Sequence, residues 1–275
     1  VAPGDNLIYK GEDIKNGDIV LKKGHTFRPQ DLGMLAGLGI SKVSVIKPPI
    51  VSIISTGDEV KPPGEVIGPG EVRDINTYAI SGQTLKWGAI PRAFGIIRDD
   101  FHELKAAVEE ALNLSDLVII SGGSSVGTRD HTVGVIEALG KPGLLVHGLP
   151  VKPGKPTILA ATNGKPIIGL PGHPVSAMVI FELIVRPVIS MMLQRPKEYG
   201  NKKIFAKIAR NIASAAGRQD FIRVRIEKRG NELWAVPVLG KSGLISTMVE
   251  SHGLAEIPPE KQGVSEGEMV EIELF

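Results

Sequence analysis

The stretch Leu117-Val118-Ile119-Ile120 constrains the fold of this chain more than any other. It is apolar with no polar alternate, so as a strand it must be covered on both faces. Such a strand belongs in a parallel sheet with helices packed on each side. The neighbouring sequence supplies both. Ile50-Val51-Ser52-Ile53-Ile54 and Arg92-Ala93-Phe94-Gly95-Ile96-Ile97 read as further strands. Residues 157–162 and 167–170 read as two more, around the turn Asn163-Gly164. Helices are expected over residues 79–87, 101–112, 132–139 and 174–193. Asp100 is placed to cap the second of these, with Glu103 in the capping-box position. Leu104, Val108 and Leu112 then fall on one face of that helix.

The expectation is a three-layer α/β/α domain with a mostly parallel sheet over residues 48–196. Pro48-Pro49 marks its start and Pro196 its end. Residues 1–47 read as a β-rich linker element: short strands and turns, a short helix after Pro29, and a strand at Lys42-Val43-Ser44-Val45-Ile46. Beyond the α/β pattern, residues 204–212, 221–226 and 233–238 read as strands, with a hairpin at Arg229-Gly230-Asn231. The chain ends in Met269-Val270-Glu271-Ile272-Glu273-Leu274. This predicts a small β-barrel or sandwich domain over residues 197–275.

Composition narrows the function. The chain holds 33 Gly and 20 Pro beside a 42% hydrophobic content, so many turn residues coexist with a good core. That combination points to loops that carry the function. A net charge of +2 and 4% aromatic residues give no reason to expect a nucleic-acid partner. Cysteine is absent, which excludes disulfides, thiolate metal sites and a thiol nucleophile, and fits a reducing, cytoplasmic setting. The polar start Val1-Ala2-Pro3-Gly4-Asp5 does not read as a signal peptide. The apolar stretch from Ala177 to Leu193 is broken by Glu182, Arg186 and Pro187, so no membrane span is expected.

In open α/β sheets, ligands bind beyond the carboxyl ends of the strands. Four unusual loops stand there: Ser55-Thr56-Gly57-Asp58-Glu59, Arg98-Asp99-Asp100, Ser121-Gly122-Gly123-Ser124-Ser125-Val126-Gly127 with Asp130, and Pro171-Gly172-His173-Pro174-Val175-Ser176. The glycine-rich loop is either a tight turn or a nest of backbone N–H groups facing an anion. It is neither a Walker A loop nor a dinucleotide fingerprint. Asp100 and Asp130 serve equally well as plain helix caps, whereas Asp99 beside Asp100 is less easily explained that way. Carboxylates at neighbouring strand ends, Glu59 and Asp99 with Asp130, would suit magnesium together with phosphate oxygens. Val151-Lys152-Pro153-Gly154-Lys155-Pro156 sets two lysines on a stiff backbone, as a solvated connection or as an anion clamp. Arginines alternate through Arg218-Gln219-Asp220-Phe221-Ile222-Arg223-Val224-Arg225, and an outward polar face is the simpler reading.

Taken together and in this order, these motifs resemble the molybdopterin molybdenumtransferase family, the MoeA proteins and the related domain of gephyrin. The likeness runs the length of the chain. It implies a MogA-like α/β domain followed by a β-barrel. It implies an enzyme of molybdenum cofactor synthesis that inserts molybdate into adenylylated molybdopterin and releases AMP, with Mg2+. A molybdopterin adenylyltransferase would be its pathway partner. Glu59, Asp99 and Asp130 would be the catalytic and magnesium-side carboxylates. Ser121, Gly122, Gly123, Ser124, Ser125 and Gly127, with Pro171, Gly172 and Pro174, would surround the pterin phosphate. Lys152, Lys155 and Ser176 would lie near the molybdate, joined by Arg223 from a Phe-x-Arg segment.

Two departures stand out. His173 occupies a position where the family usually has Asn. Family members also carry a further N-terminal segment with an Asp-Gly-Tyr-type motif, which completes the site across an antiparallel homodimer, and nothing like it is present here. Two alternative readings remain from sequence. One is an adenylyltransferase of the MogA type, which shares the Gly-Gly loop but has no C-terminal β-domain. The other is a non-catalytic molybdopterin-binding or scaffold module.

Overall fold

A computed structural model describes residues 2–122, 131–196, 199–200 and 202–275. The chain divides into two units, Val1–Ile46 and Lys47–Phe275.

In the first unit the only regular element among the described residues is helix α1, Pro29–Gly37. Pro29 opens it, where the missing N–H costs nothing. Asp31 organises its start: the carboxylate accepts the Arg28 backbone N–H at 2.8 Å, the Arg28 guanidinium at 3.0 Å and His25 Nε2 at 2.7 Å. The strand expected at 42–46 does not form, nor do short strands before α1. A strand needs a partner for its backbone groups. Within this unit none is offered, and Val43, Val45 and Ile46 stay exposed.

The second unit opens with the sheet that the apolar strand demands. Its strands run in the order β4 (Ile90–Ile97), β1 (Ile50–Thr56), β5 (Leu117–Ser121), β9 (Lys165–Leu170), β8 (Ile158–Thr162) and β6 (Pro142–His147). The first four are parallel to one another; β8 and β6 add antiparallel pairings. Strand β6 is not apparent in the sequence because Pro142 and Gly143 mask it.

Both faces are covered, as the lack of alternation requires. Ile53, Leu117 and Ile119 pack with Ile80 and Trp87, from α2 (Asn76–Lys86) and just after it, and with Ala177, Phe181 and Ile189 of α5 (Pro174–Met192). Ile54, Val118 and Ile120 turn the other way. They pack with Leu104, Val108 and Leu112 of α3 (Phe101–Leu114) and with Val135 and Ile136 of α4 (His131–Ala138). Neighbouring residues thus serve opposite cores, and each fully buried side chain of this size contributes about 1.5–3 kcal/mol. Asp100 caps α3 as expected, accepting the N–H groups of His102 at 2.8 Å and Glu103 at 2.9 Å. These bonds, led by the one from Glu103, hold its carboxyl below the usual range. Helix α5 carries a π-turn over Phe181–Val185. It is the one helix among the described residues long and apolar enough to cross a membrane, and it is spent on the core.

Beyond α5, β10 (Lys203–Ile208), β12 (Gln219–Arg229), β13 (Glu232–Pro237), β14 (Gly253–Ile257) and β16 (Met269–Leu274) close into a five-stranded barrel through the β12–β13 and β10–β13 pairings, while β11 (Ile212–Ala213) pairs only with β15 (Gly263–Val264). Ala206, Ile208, Val224, Ala235, Ala255 and Ile272 fill it. A second seam joins the barrel to the α/β layers: Val175 and Val179 of α5 pack with Phe221, Met248 and Leu254. The two-residue strand β7 (Val151–Lys152) adds parallel to β12, with Val151 beside Gln219 and Lys152 beside Asp220.

Gly154 has φ +117°, and a Cβ there would meet Ile180 side-chain carbons at 2.4 Å. Gly154→Ala is expected to destabilise the second unit by about 1–3 kcal/mol, read as a lowered midpoint in thermal unfolding. Asp31 is held well below the ordinary carboxylate range, chiefly by Arg28 and then by His25. A carboxyl whose folded value is depressed adds stability above its unfolded value of roughly 3.9 and loses it as pH falls through the folded value. Protection of the amides at the start of α1, read as the intrinsic exchange rate over the observed one at each pH, should therefore be high at neutral pH and fall in acid below pH 4. In Asp31→Asn it should be low at neutral pH already.

Candidate active site

Parallel alignment sends the carboxyl ends of β1, β4, β5 and β9 to the same edge. The register matches Thr56 with Ile97, Ser55 with Ser121, and Ser121 with Leu170. All four loops singled out in the sequence therefore start side by side. Between them opens a cleft of about 630 Å³. Glu59 and Asp99 line it from one side, and Pro171, Gly172, His173 and Pro174 from another, with Ser121 and Gly122 between.

Each loop is tied to its neighbour. The Asp99 N–H donates to Asp58 Oδ1 at 3.3 Å, and the Gly57 N–H to the Ile97 carbonyl at 3.3 Å. The Glu59 carbonyl accepts the Val72 N–H at 2.8 Å, which joins the β1 loop to the short pair β2 (Val60–Lys61) and β3 (Val72–Arg73). The Gly122 N–H reaches the Leu170 carbonyl at 3.2 Å. Gly122 also has φ +106°, and a Cβ would lie 2.4 Å from the Thr56 carbonyl oxygen. Only glycine lets the β5 loop pass this close to β1.

The start of α2 adds residues that sequence reading missed. Asp74 Oδ1 accepts Ser55 Oγ at 3.1 Å and the Thr77 N–H at 3.0 Å, so it caps the helix from inside the fold. Asn76 Nδ2 donates to Ser121 Oγ at 2.7 Å and to the Gly172 carbonyl at 2.8 Å. A carbonyl only accepts, so the amide nitrogen must face Gly172, and the direction of the side chain is set. Asn76 thereby bridges the β5 and β9 loops. Its Oδ1, like Thr56 Oγ1, is buried with no hydrogen-bond partner, and both residues line the cleft. The signal lay in Arg73-Asp74-Ile75-Asn76, where an Asp precedes a helix start. The expected helix began only at residue 79, after that signal.

Other expected residues lie farther out. Ser176 is buried at the third position of α5. Lys152 and Lys155 are exposed, and of their segment only Pro156 lines the cleft. Arg223 does not line it. Its guanidinium donates to the Gly240 carbonyl at 2.7 Å, and burial lowers its pKa. Gly240 leads into Ser242 and Gly243; Ser242 Oγ lies 2.9 Å from His173 Nδ1, and Gly243 lines the cleft. Gly123, Ser124, Ser125, Gly127 and Asp130 fall outside the described residues. Among the described residues no three His, Asp or Glu side chains gather closely enough to hold a metal ion.

Comparison with known proteins places this arrangement. Residues 52–191 match the model of a probable molybdopterin binding domain, residues 206–275 that of the MoeA C-terminal region (domain IV), and residues 1–39 that of the MoeA N-terminal region (domain I and II). A molybdopterin molybdenumtransferase from Haemophilus influenzae is 36% identical over 277 residues, which take in 99% of this chain and 68% of the relative. The chain belongs to the MoeA family. Members are enzymes of molybdenum cofactor biosynthesis, named molybdopterin molybdenumtransferases. A putative molybdopterin biosynthesis protein from Methanocaldococcus jannaschii is 37% identical, over all of this chain and 67% of the relative. A crystal structure of a MoeA protein from Pyrococcus horikoshii superposes with a TM-score of 0.85 at 38% identity, over 97% of this chain and 64% of that one. This MoeA-family chain thus spans about two thirds of the length of such relatives.

The Asn76 bridge is directly testable. Asn76→Asp puts a second acceptor against the Gly172 carbonyl and is expected to cost about 1–3 kcal/mol. The change should appear as a lower unfolding midpoint and as exchange broadening of Gly172 and Ser121 amides in NMR spectra.

Proposed function

We propose that this chain carries the core of a molybdenum-inserting transferase. It takes adenylylated molybdopterin and molybdate as substrates, binds the metal through the two dithiolene sulfurs while one molybdate oxygen leaves as water with the two thiol protons, and releases AMP. The observation that carries this reading is the single cleft on which the four strand-end loops converge, with carboxylates on one wall and the start of α5 on another.

The two walls suit opposite charges. Glu59 and Asp99 are hard oxygen donors in one cleft, which fits a magnesium ion; with Asp130 they would hold it. Such an ion, when bound, would neutralise phosphate charge and ease cleavage of the phosphoanhydride. The chain's own residues supply the rest. The positive end of α5, behind Pro171 and Gly172, favours phosphate. Lys152 and Lys155, exposed on the segment that leads to Pro156, would steer and retain molybdate. Bond cleavage passes an anhydride oxygen to AMP as leaving group while water supplies the replacing oxygen. A carboxylate in the cleft is placed to accept that water's proton. A second copy of the chain is the expected partner, and adenylylated molybdopterin comes from an adenylyltransferase.

The test supplies the full gene product with adenylylated molybdopterin, magnesium and molybdate and measures AMP. Release is expected for the wild type. Glu59→Gln and Asp99→Asn are each expected to lower it by at least about 100-fold, the scale of removing a group that acts on developing charge, without moving the unfolding midpoint. Lys152→Ala should raise the molybdate requirement and leave the saturated rate nearly intact. Formation of adenylylated molybdopterin from ATP and molybdopterin, with no AMP release in the first assay, would overturn the reading in favour of an adenylyltransferase.

A further inference from the structure

His173 lines the cleft immediately before α5, together with Gly243 from the barrel side. Its Nδ1 is 2.9 Å from Ser242 Oγ. Ser242 is itself anchored. Its carbonyl accepts the Val175 N–H at 3.1 Å, and two residues earlier the Gly240 carbonyl accepts Arg223 at 2.7 Å. The serine is therefore fixed to the very helix start that carries the histidine. Gly243 lies near the Cδ2 edge of the ring, where even a Cβ would make an ordinary contact at 3.8 Å. The imidazole is held through Nδ1, and its Nε2 has no hydrogen-bond partner among the described residues. When Ser242 donates to Nδ1, the ring proton resides on Nε2. The ring then offers an N–H donor beside the positive end of a 19-residue helix.

We infer that His173 is a ligand-contacting, specificity-determining residue whose Nε2–H donates to a tetrahedral oxyanion in the cleft, with Ser242 setting the tautomer. The inference rests on the transferase reading for the identity of that oxyanion, which is either the nucleotide phosphate of adenylylated molybdopterin or molybdate. Neither Glu59 nor Asp99 can play this part, because an ionised carboxylate only accepts. Arg223, spent on the Gly240 carbonyl, acts on the site through the loop that holds Ser242.

The experiment has a kinetic and a spectroscopic arm, both on the full gene product. AMP release is measured with molybdate varied at fixed pterin substrate, and the reverse, for the wild type, H173A, H173N and S242A. H173A should raise the KM for one of the two substrates about tenfold, as expected for one lost hydrogen bond to an anion, with kcat within about twofold. H173N keeps an N–H donor and should recover part of the loss, while S242A should give a smaller rise. The substrate whose KM moves identifies the oxyanion. In the second arm, long-range 1H–15N spectra of the histidine rings, assigned with H173N, are recorded while inorganic molybdate and AMP are titrated separately. One of them should shift His173 Nε2 and select the Nε2–H tautomer. Unchanged KM values in H173A, or an unmoved His173 signal with both probes, overturns the inference. A shifted signal in a protein that releases no AMP would uphold the oxyanion contact and sink the transferase reading, so the two fail separately.

Discussion

The site depends on one constraint: β4, β1, β5 and β9 must run parallel because β5 has no face that tolerates water. Parallel strands cannot be joined by tight turns, so each must be followed by a crossover. The crossover helices supply the two cores that the strand requires. All of the strand ends, and the polar loops that follow, are thereby left along one edge. The cleft is thus a by-product of how hydrophobic surface is hidden. Its chemistry was free to vary only in the residues that decorate the ends.

Loop placement alone would leave a loose rim. Tightness comes from a small number of polar bridges across strand ends. Asp58 holds the Asp99 backbone, Gly122 presses against Thr56, and Asn76 clasps Ser121 and Gly172. The Asp58 bridge is exposed, whereas the Asn76 bonds are buried or partly so, where an unpaired partner is costly. The rim is therefore stiff before any ligand arrives, and Thr56 Oγ1 and Asn76 Oδ1 remain buried and unpaired within it. A site that keeps such groups gives up some stability in exchange for a fixed geometry.

Much of this was legible in the residues. The alternation-free run at 117–120, the Asp100 cap and the four strand-end loops translate directly into layers, a helix start and a cleft. What escaped had physical reasons. Residues 42–46 have strand composition, but a strand is a property of a pair. Asp74 and Asn76 looked like loop residues, because the helix they open was read as starting three residues later. Arg223 and Ser242 act across a sequence gap that only the barrel closes. No period or spacing reports a contact of that kind, and the same holds for Lys152, whose pairing with Asp220 needs the β7–β12 register.

The seam between α5 and the barrel has a consequence for the architecture itself. Val175 and Val179 are wholly inaccessible because Phe221, Met248 and Leu254 lie on them. The same helix surface on an α/β domain without a barrel would meet solvent. A stand-alone relative of the first module must then carry polar residues at those two places, or cover them by self-association. The barrel is separable as a stretch of sequence yet not as a piece of matter. Cutting the chain near residue 200 would leave an apolar stripe on the helix that shapes the cleft.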